Sequence, residues 1–242
     1  MKLYKHIPNF ITSLNLLSGC IGIGLLFSGN IIEASCFIAI AAVFDFLDGF
    51  SAKLLKAQSA IGKDLDSLAD VVSFGVLPGL IMFTMLNMCF SEAEGWQKYL
   101  PFEAFLIPVF SALRLAKFNN DENQTENFIG MPTPANALFI ASIPFIILNG
   151  NESPTYFTML FGNPGFLLAL VIILSFLLVA PVKLFSLKFK SFGWKENEIR
   201  YIFLIVSLIA LILLQYIAVP LIIIFYIILS LINYSKKNEI PR

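Results

Sequence analysis

Charge is scarce in this chain. Of its 242 residues 13% are Asp, Glu, Lys or Arg and 58% are hydrophobic, against a charged share of about 25% in soluble domains. That deficit, with a mean hydropathy of +0.83, excludes an ordinary solvated domain and marks an integral membrane protein. The 16 basic and 16 acidic residues cancel, so no basic surplus exists to neutralise phosphates, which argues against a nucleic-acid partner. Histidine occurs once, at His6, beside Lys2 and Lys5 at the start of the first apolar run, and reads as an interfacial residue, not a ligand. The three cysteines, Cys20, Cys36 and Cys89, lie in apolar segments without C-x-x-C spacing. They read as small buried apolar residues without a redox or metal role. Internal repeats and low-complexity tracts are absent.

Long apolar runs are what the chain has instead. A bilayer is crossed by about 17 to 25 apolar residues, and eight segments meet that length, approximately at 10–28, 31–55, 66–89, 99–117, 132–149, 164–187, 200–216 and 218–234. No A-x-A cleavage site follows the first, so it is a spanning helix and not a removable leader. The last apolar tract is long enough for two spans, and Pro220 would sit in the first turn of the final helix, where its missing N–H is tolerated. With both termini cytoplasmic, every basic residue except Lys98 falls on the inside; these include Lys2, Lys53, Lys56, Lys63, Arg114, Lys117, Lys188, Lys190 and Arg242. This bias follows the positive-inside rule and requires an even number of spans. The expected fold is therefore an all-α, polytopic membrane helix bundle of about eight transmembrane helices. It forms one domain over residues 1–242, with a functional core near 8–137 and packing helices over 164–234.

Carboxylates inside such helices call for an explanation, because an isolated charge there is costly. At about 100° per residue, Asp45, Asp48, Gly49, Ala52 and Lys53 share one arc of roughly 140°, and Gly62, Asp66 and Asp70 share another of about 80°. Helices meeting along these faces bring four carboxylates together beside a wall of small residues. Asp64 points the opposite way and serves as an internal control. Unpaired, the four would repel one another. Oxygen ligands without His or Cys suit Mg²⁺ or Mn²⁺, and the expected cofactor is divalent metal. Gly49 and Ala52 would let a ligand approach the backbone closely.

Read as Asp45-x2-Asp48-Gly49-x2-Ala52-Lys53-x8-Gly62-x3-Asp66-x3-Asp70, the stretch resembles the signature of the CDP-alcohol phosphatidyltransferase family at seven of its eight fixed positions. The departure is Lys53, where the family has Arg, which keeps a positive charge but loses the planar fork. The resemblance implies displacement of CMP from a CDP-linked lipid by an acceptor hydroxyl. It further implies metals held by Asp45, Asp48, Asp66 and Asp70, with Asp70 doubling as general base, and a nucleotide held by Gly49, Ala52, Lys53 and Gly62. Homodimers are common in the family. Gly75-x-x-x-Gly79 would serve a close helix contact, or, with Pro78, a kink. Thr12 and Asn15, on the polar stripe Asn9, Thr12, Asn15 and Gly19, either border the nucleotide pocket or make an interhelical hydrogen bond.

The pair Arg114-Leu-Ala-Lys-Phe-Asn119 and Gly130-Met-Pro-Thr-Pro-Ala135 resembles the phosphatidylserine synthase branch, and the likeness runs from about Pro8 to Ala137. On this reading Arg114 takes the acceptor carboxylate, with Thr133 and Asn136 as polar partners. The alternative for Arg114 and Lys117 is positive-inside anchoring, and for Lys117 it is preferred. The expected partners are CDP-diacylglycerol, L-serine and membrane lipids, and the expected place is the cell (inner) membrane with the site facing the cytoplasm. Two rival readings are the same chemistry on glycerol 3-phosphate or an inositol compound, and a divalent-cation transporter lined by the Asp ring.

Overall fold

In a computed structural model the described residues are 3–120, 127–149, 155–185 and 193–238. The chain is a helical membrane bundle. The helices are α1 (Ile7–Phe27), α2 (Ile31–Leu54), α3 (Ala60–Asp70), α4 (Leu77–Cys89), α5 (Leu106–Asn120), α6 (Thr133–Asn149), α7 (Tyr156–Phe161), α8 (Pro164–Val179), α9 (Trp194–Leu214) and α10 (Ala218–Asn238). Among the described residues, four apolar helical runs are long enough to cross a bilayer: Ile7–Phe27, Ala60–Cys89, Gly95–Asn120 and Asn197–Tyr234. Shorter apolar helices cover Thr133–Leu148 and Pro164–Val179.

The run Ala60–Cys89 is the axis of the bundle, with more than half of its apolar stretch buried by other helices. Ser59 starts it, its Oγ accepting from the Gly62 N–H at 3.0 Å, which satisfies one of the open donors of the first turn. The connection from α2 is thus only Leu55–Ser59, and the helix begins at Ala60, six residues before the expected span at 66. Immediately after Asp70 the helix widens into a π-helical stretch, Val71–Val76, before α4. Pro78 in the first turn of α4 has no N–H, and the Leu77 N–H reaches back to the Val72 carbonyl. Such wide turns collect at functional sites, and this one follows the last carboxylate of the signature.

Close packing in a membrane relies on small residues, because lipid offers no hydrophobic drive between helices. A Cβ on Gly79 would lie 2.8 Å from Pro108 Cδ, and one on Gly75 would lie 3.1 Å from Ser111 Cβ. The Gly75-x-x-x-Gly79 stripe is therefore spent inside the chain, against α5 and the 3₁₀ stretch Gly95–Phe105 that leads into it. The core between α2, α4 and α6 holds Ile38, Phe74, Leu77, Ile81, Met82, Ile140 and Ile143, all fully buried.

Two expectations need correction. The segment 164–187 is not one helix: α8 ends at Val179 because Pro181 drives Ala180 out of helical backbone (ψ 144°). Residues 183–185 then pair as β2 with β1 (Asn127–Ile129) in an antiparallel ribbon, and residues 186–187 lie outside the described residues. The ribbon fixes the loop before α6. Gly130 there has φ +78°, and an added Cβ would collide with the Leu178 carbonyl oxygen, so glycine alone fits. Second, Cys20, Cys36 and Cys89 are unpaired and on exposed faces. An outward face of a membrane helix meets lipid, so apolar character does not require burial within the protein. The last apolar tract, by contrast, divides where two spans were expected, bending at Gln215 (φ +49°). Phe203 on α9 meets Phe225 and Tyr226 on α10, so the two helices fold back on each other. In the charge count, Lys2, Lys188, Lys190 and Arg242 lie outside the described residues.

Candidate active site

The 3.6-residue period places Asp45 and Asp48 on the face of α2 that meets α1 and α3, and Asp66 and Asp70 on the facing side of α3. Carboxylate oxygens of Asp45, Asp48 and Asp66 lie within 4.8 Å of one another. Asp48 and Asp70 are buried, while Asp45 and Asp66 are partly open. Asp64 is exposed, on the other side of its helix. At an effective dielectric near 20, two charges within 4.8 Å of each other repel by about 3.5 kcal/mol or more. Among the described residues nothing cationic pairs with Asp48 Oδ2 or Asp66 Oδ1, which are buried without a hydrogen-bond partner. An all-oxygen donor set with open, buried lone pairs fits a hard divalent cation.

Two cavities meet at these carboxylates. The first, about 540 Å³, is walled by α1 and the α2–α3 connection, and Pro8, Asn9, Thr12, Asp48, Ala52, Ser59 and Gly62 line it. The second, about 610 Å³, opens between α2, α3, α5 and the start of α6, and Asp45, Lys53, Asp70, Arg114, Asn119 and Thr133 line it. Gly49, Lys63 and Asp66 belong to both. A Cβ on Gly49 would meet nothing within 4 Å, so glycine there keeps the passage between the cavities wide. At Gly62 a Cβ would press on Asn9 Oδ1 at 2.9 Å, so this glycine sets the approach of α1 as well as forming wall.

The remaining residues singled out from sequence divide by position. Thr12 lines the first cavity, its hydroxyl donating to the Pro8 carbonyl at 3.0 Å. Asn15 lines neither and is fully buried, its Nδ2 donating to Asp70 Oδ1 at 3.1 Å. Arg114 and Thr133 face the second cavity, with Arg114 Nε and Thr133 Oγ1 buried and unpartnered. Asn136, one turn further along α6, is fully buried with both amide atoms unpartnered and lines neither cavity. Lys53 is exposed at the mouth of the second cavity, and Lys117 is exposed and lines neither.

Sequence reasoning gave no site role to Lys63, Ser67 or Asn119. Lys63 Nζ donates to the Asn119 carbonyl at 2.9 Å, and Asn119 Nδ2 donates to Ser67 Oγ at 2.8 Å, tying the first turns of α3 to the end of α5. The signal was available, since Lys63, Ser67 and Asp70 fall on one face of α3 at i, i+4 and i+7.

The family model for CDP-alcohol phosphatidyltransferase matches residues 5–178. The chain belongs to the CDP-alcohol phosphatidyltransferase family. Membership covers α1 to α8 and leaves α9 and α10 outside the matched part. Among curated relatives, the CDP-diacylglycerol--serine O-phosphatidyltransferase of Bacillus subtilis (strain 168) is 32% identical over 183 residues, 74% of this chain and 89% of that protein. The protein of that name from Mycobacterium leprae (strain TN) is 37% identical over 145 residues, 57% of this chain but only 46% of its own length. The archaetidylserine synthase of Methanothermobacter thermautotrophicus (strain Delta H) is 33% identical over 138 residues, 56% of either chain.

Proposed function

We propose that this protein transfers the phosphatidyl group of CDP-diacylglycerol to the hydroxyl of L-serine, releasing CMP. The observation that carries the reading is the position of Asp70. It lines one cavity with Arg114 and Thr133, and the neighbouring Asp66 lines both that cavity and the one beside the glycine wall. The relatives' names all contain serine, whereas the lipid part differs between phosphatidyl and archaetidyl.

In this scheme the nucleotide lies in the first cavity against Gly49, Ala52 and Thr12, with Lys53 as a point charge near the diphosphate. Serine enters the second, its carboxylate on Arg114 and its polar groups on Thr133, with Asn136 behind. Asp45, Asp48, Asp66 and Asp70 would hold the divalent metal, Mg²⁺ or Mn²⁺ in two sites, which when bound supplies charge neutralisation at the diphosphate. The Asp70 carboxylate takes the proton of the serine hydroxyl. The serine oxygen forms the new bond to the lipid phosphorus, and the bond from that phosphorus to the bridging oxygen breaks, its electron pair leaving with CMP. Direct displacement is preferred because the signature offers no Ser, Cys or His nucleophile.

Arg114 is the discriminating residue. A buried guanidinium can take a carboxylate through two parallel N–H···O bonds, which an ammonium cannot. With CMP release as the assay, L-serine is expected to be the productive acceptor, with glycerol 3-phosphate and inositol compounds near background. Arg114→Lys is expected to raise the serine KM about tenfold or more while the CDP-diacylglycerol KM stays put. Equal turnover with a phosphorylated acceptor would sink the serine assignment.

The topology proposed is eight spans with both termini cytoplasmic, placing the Asp cluster at the inner face of the cell membrane. In intact cells a membrane-impermeant amine reagent is then expected to modify Lys98 and to spare Lys56 and Lys63. Labelling of the latter pair would reverse the orientation. A homodimer, common in the family, would have to use a face other than the Gly75–Gly79 stripe.

A further inference from the structure

Asn15 stands apart from the cavity walls, in a helix with no charged residue, yet it touches the residue on which the proposed chemistry turns. Its amide is fully buried, and Nδ2 donates to Asp70 Oδ1 at 3.1 Å. The same residue is held from the other side, since the Ser73 hydroxyl donates to the Asn15 backbone carbonyl at 2.9 Å. Ser73 belongs to the π-helical stretch that begins right after Asp70, so α1 grips both the carboxylate and the wide turn behind it. The grip is close. A Cβ on Gly19, one turn along α1, would lie 2.6 Å from Ser73 Oγ, so the seam closes only because that position is glycine.

A carboxylate has two oxygens and a free side-chain rotor, and a base works only if the oxygen that takes the proton stays aimed at the acceptor. We infer that Asn15 is the positioning residue for Asp70: its one hydrogen bond to Oδ1 fixes the carboxylate so that the second oxygen serves the acceptor cavity that Arg114 and Thr133 also line, with lone pairs left for a metal. This inference rests on the reading of Asp70 as general base. Asn15 itself donates no proton to substrate and contacts no reacting atom. Its own Oδ1 has no partner, so the contact with Asp70 is the one hydrogen bond its side chain makes among the described residues.

The test uses the full-length protein in detergent with CDP-diacylglycerol and serine. Asn15→Ala is expected to lower kcat roughly 10- to 100-fold, the scale of a misplaced group, with the CDP-diacylglycerol KM within about threefold of wild type. Its thermal stabilisation by CDP-diacylglycerol is expected to persist, and Asn15→Gln, which keeps the donor, to recover part of kcat. Ser73→Ala breaks only the backbone half of the clasp and is expected to lower the melting temperature with little loss of kcat. Should Asn15→Ala fail to fold, Asn15→Leu removes the same donor at similar volume without adding a charge and is read by the same split. A folded donorless variant with wild-type kcat, a rise in KM in place of the kcat loss, or Asn15→Gln no better than Ala would overturn the inference. Asp70→Asn separates the two levels: if it is active the base reading itself fails, whereas if it is dead and Asn15→Ala is normal, only the positioning role fails.

Discussion

Asp70→Asn is expected to cut kcat for CMP release by roughly 10³-fold, within the span that general-base removal usually costs, while the folded protein still binds CDP-diacylglycerol. The substitution is close to isosteric, and Asn15 can still hydrogen-bond an amide oxygen at the position of Oδ1, so the α1–α3 seam survives. What disappears is the proton acceptor beside Arg114 and Thr133. Asp64→Asn is the matched control, because Asp64 is exposed and lines neither cavity. Its kcat is expected to stay close to wild type because the side chain touches neither cavity, and its stability too, since exposed substitutions seldom change stability by more than about 0.5 kcal/mol. Steady-state kinetics on the pair, read with thermal unfolding, decide the matter. An active Asp70→Asn enzyme would move the base elsewhere and leave Asp70 as a ligand or a structural acid.

Much of this arrangement was readable before any coordinates, for a physical reason. A helix has a fixed angular step, so the spacing of Asp45 from Asp48 and of Asp66 from Asp70 already says which side chains share a face. Ser59, three residues before Gly62, was an ordinary helix-start signal for a helix that begins ahead of the apolar span at 66. Pro181 likewise forbade a helix through 187. The π-helical turn at Val71–Val76 was not readable, because it depends on how Ser73 and Gly75 meet α1 and α5 and not on local preference. Nor was the ribbon of β1 with β2, whose partners are more than fifty residues apart. The clasp of Lys63 on Asn119 fails in the same way: the facing side of α3 was legible, but its partner on α5 was not. Asn15 lies between these cases. Its polar character on an apolar helix was visible, whereas the identity of its partner required the fold.

Removal of divalent metal is expected to abolish turnover, and Mg²⁺ or Mn²⁺ to restore it, with a loss of about 10³-fold on chelation. The magnitude follows from charge: neutralisation at a reacting phosphoryl group is worth several kcal/mol, and about 4 kcal/mol corresponds to a thousandfold in rate. The protein side of the argument is the crowding of Asp45, Asp48 and Asp66 within 4.8 Å, with Asp48 Oδ2 and Asp66 Oδ1 buried and unpartnered. Such a cluster repels itself unless a cation or a proton intervenes. Metal should therefore stabilise the fold as well as support activity, since a ligand that binds only the native state raises its stability. Mg²⁺ or Mn²⁺ is expected to raise the melting temperature of the substrate-free protein. In Asp48→Asn, where one charge of the cluster is gone, the substrate-free protein is expected to melt higher in the presence of chelator than the wild type, and to respond less to metal. That opposite movement separates ion binding from a general salt effect, because added salt would raise both proteins alike through screening. An unchanged melting temperature with metal, together with full activity in chelator, would mean that Asp45, Asp48 and Asp66 share a proton instead and that the displacement proceeds by positioning and Asp70 alone.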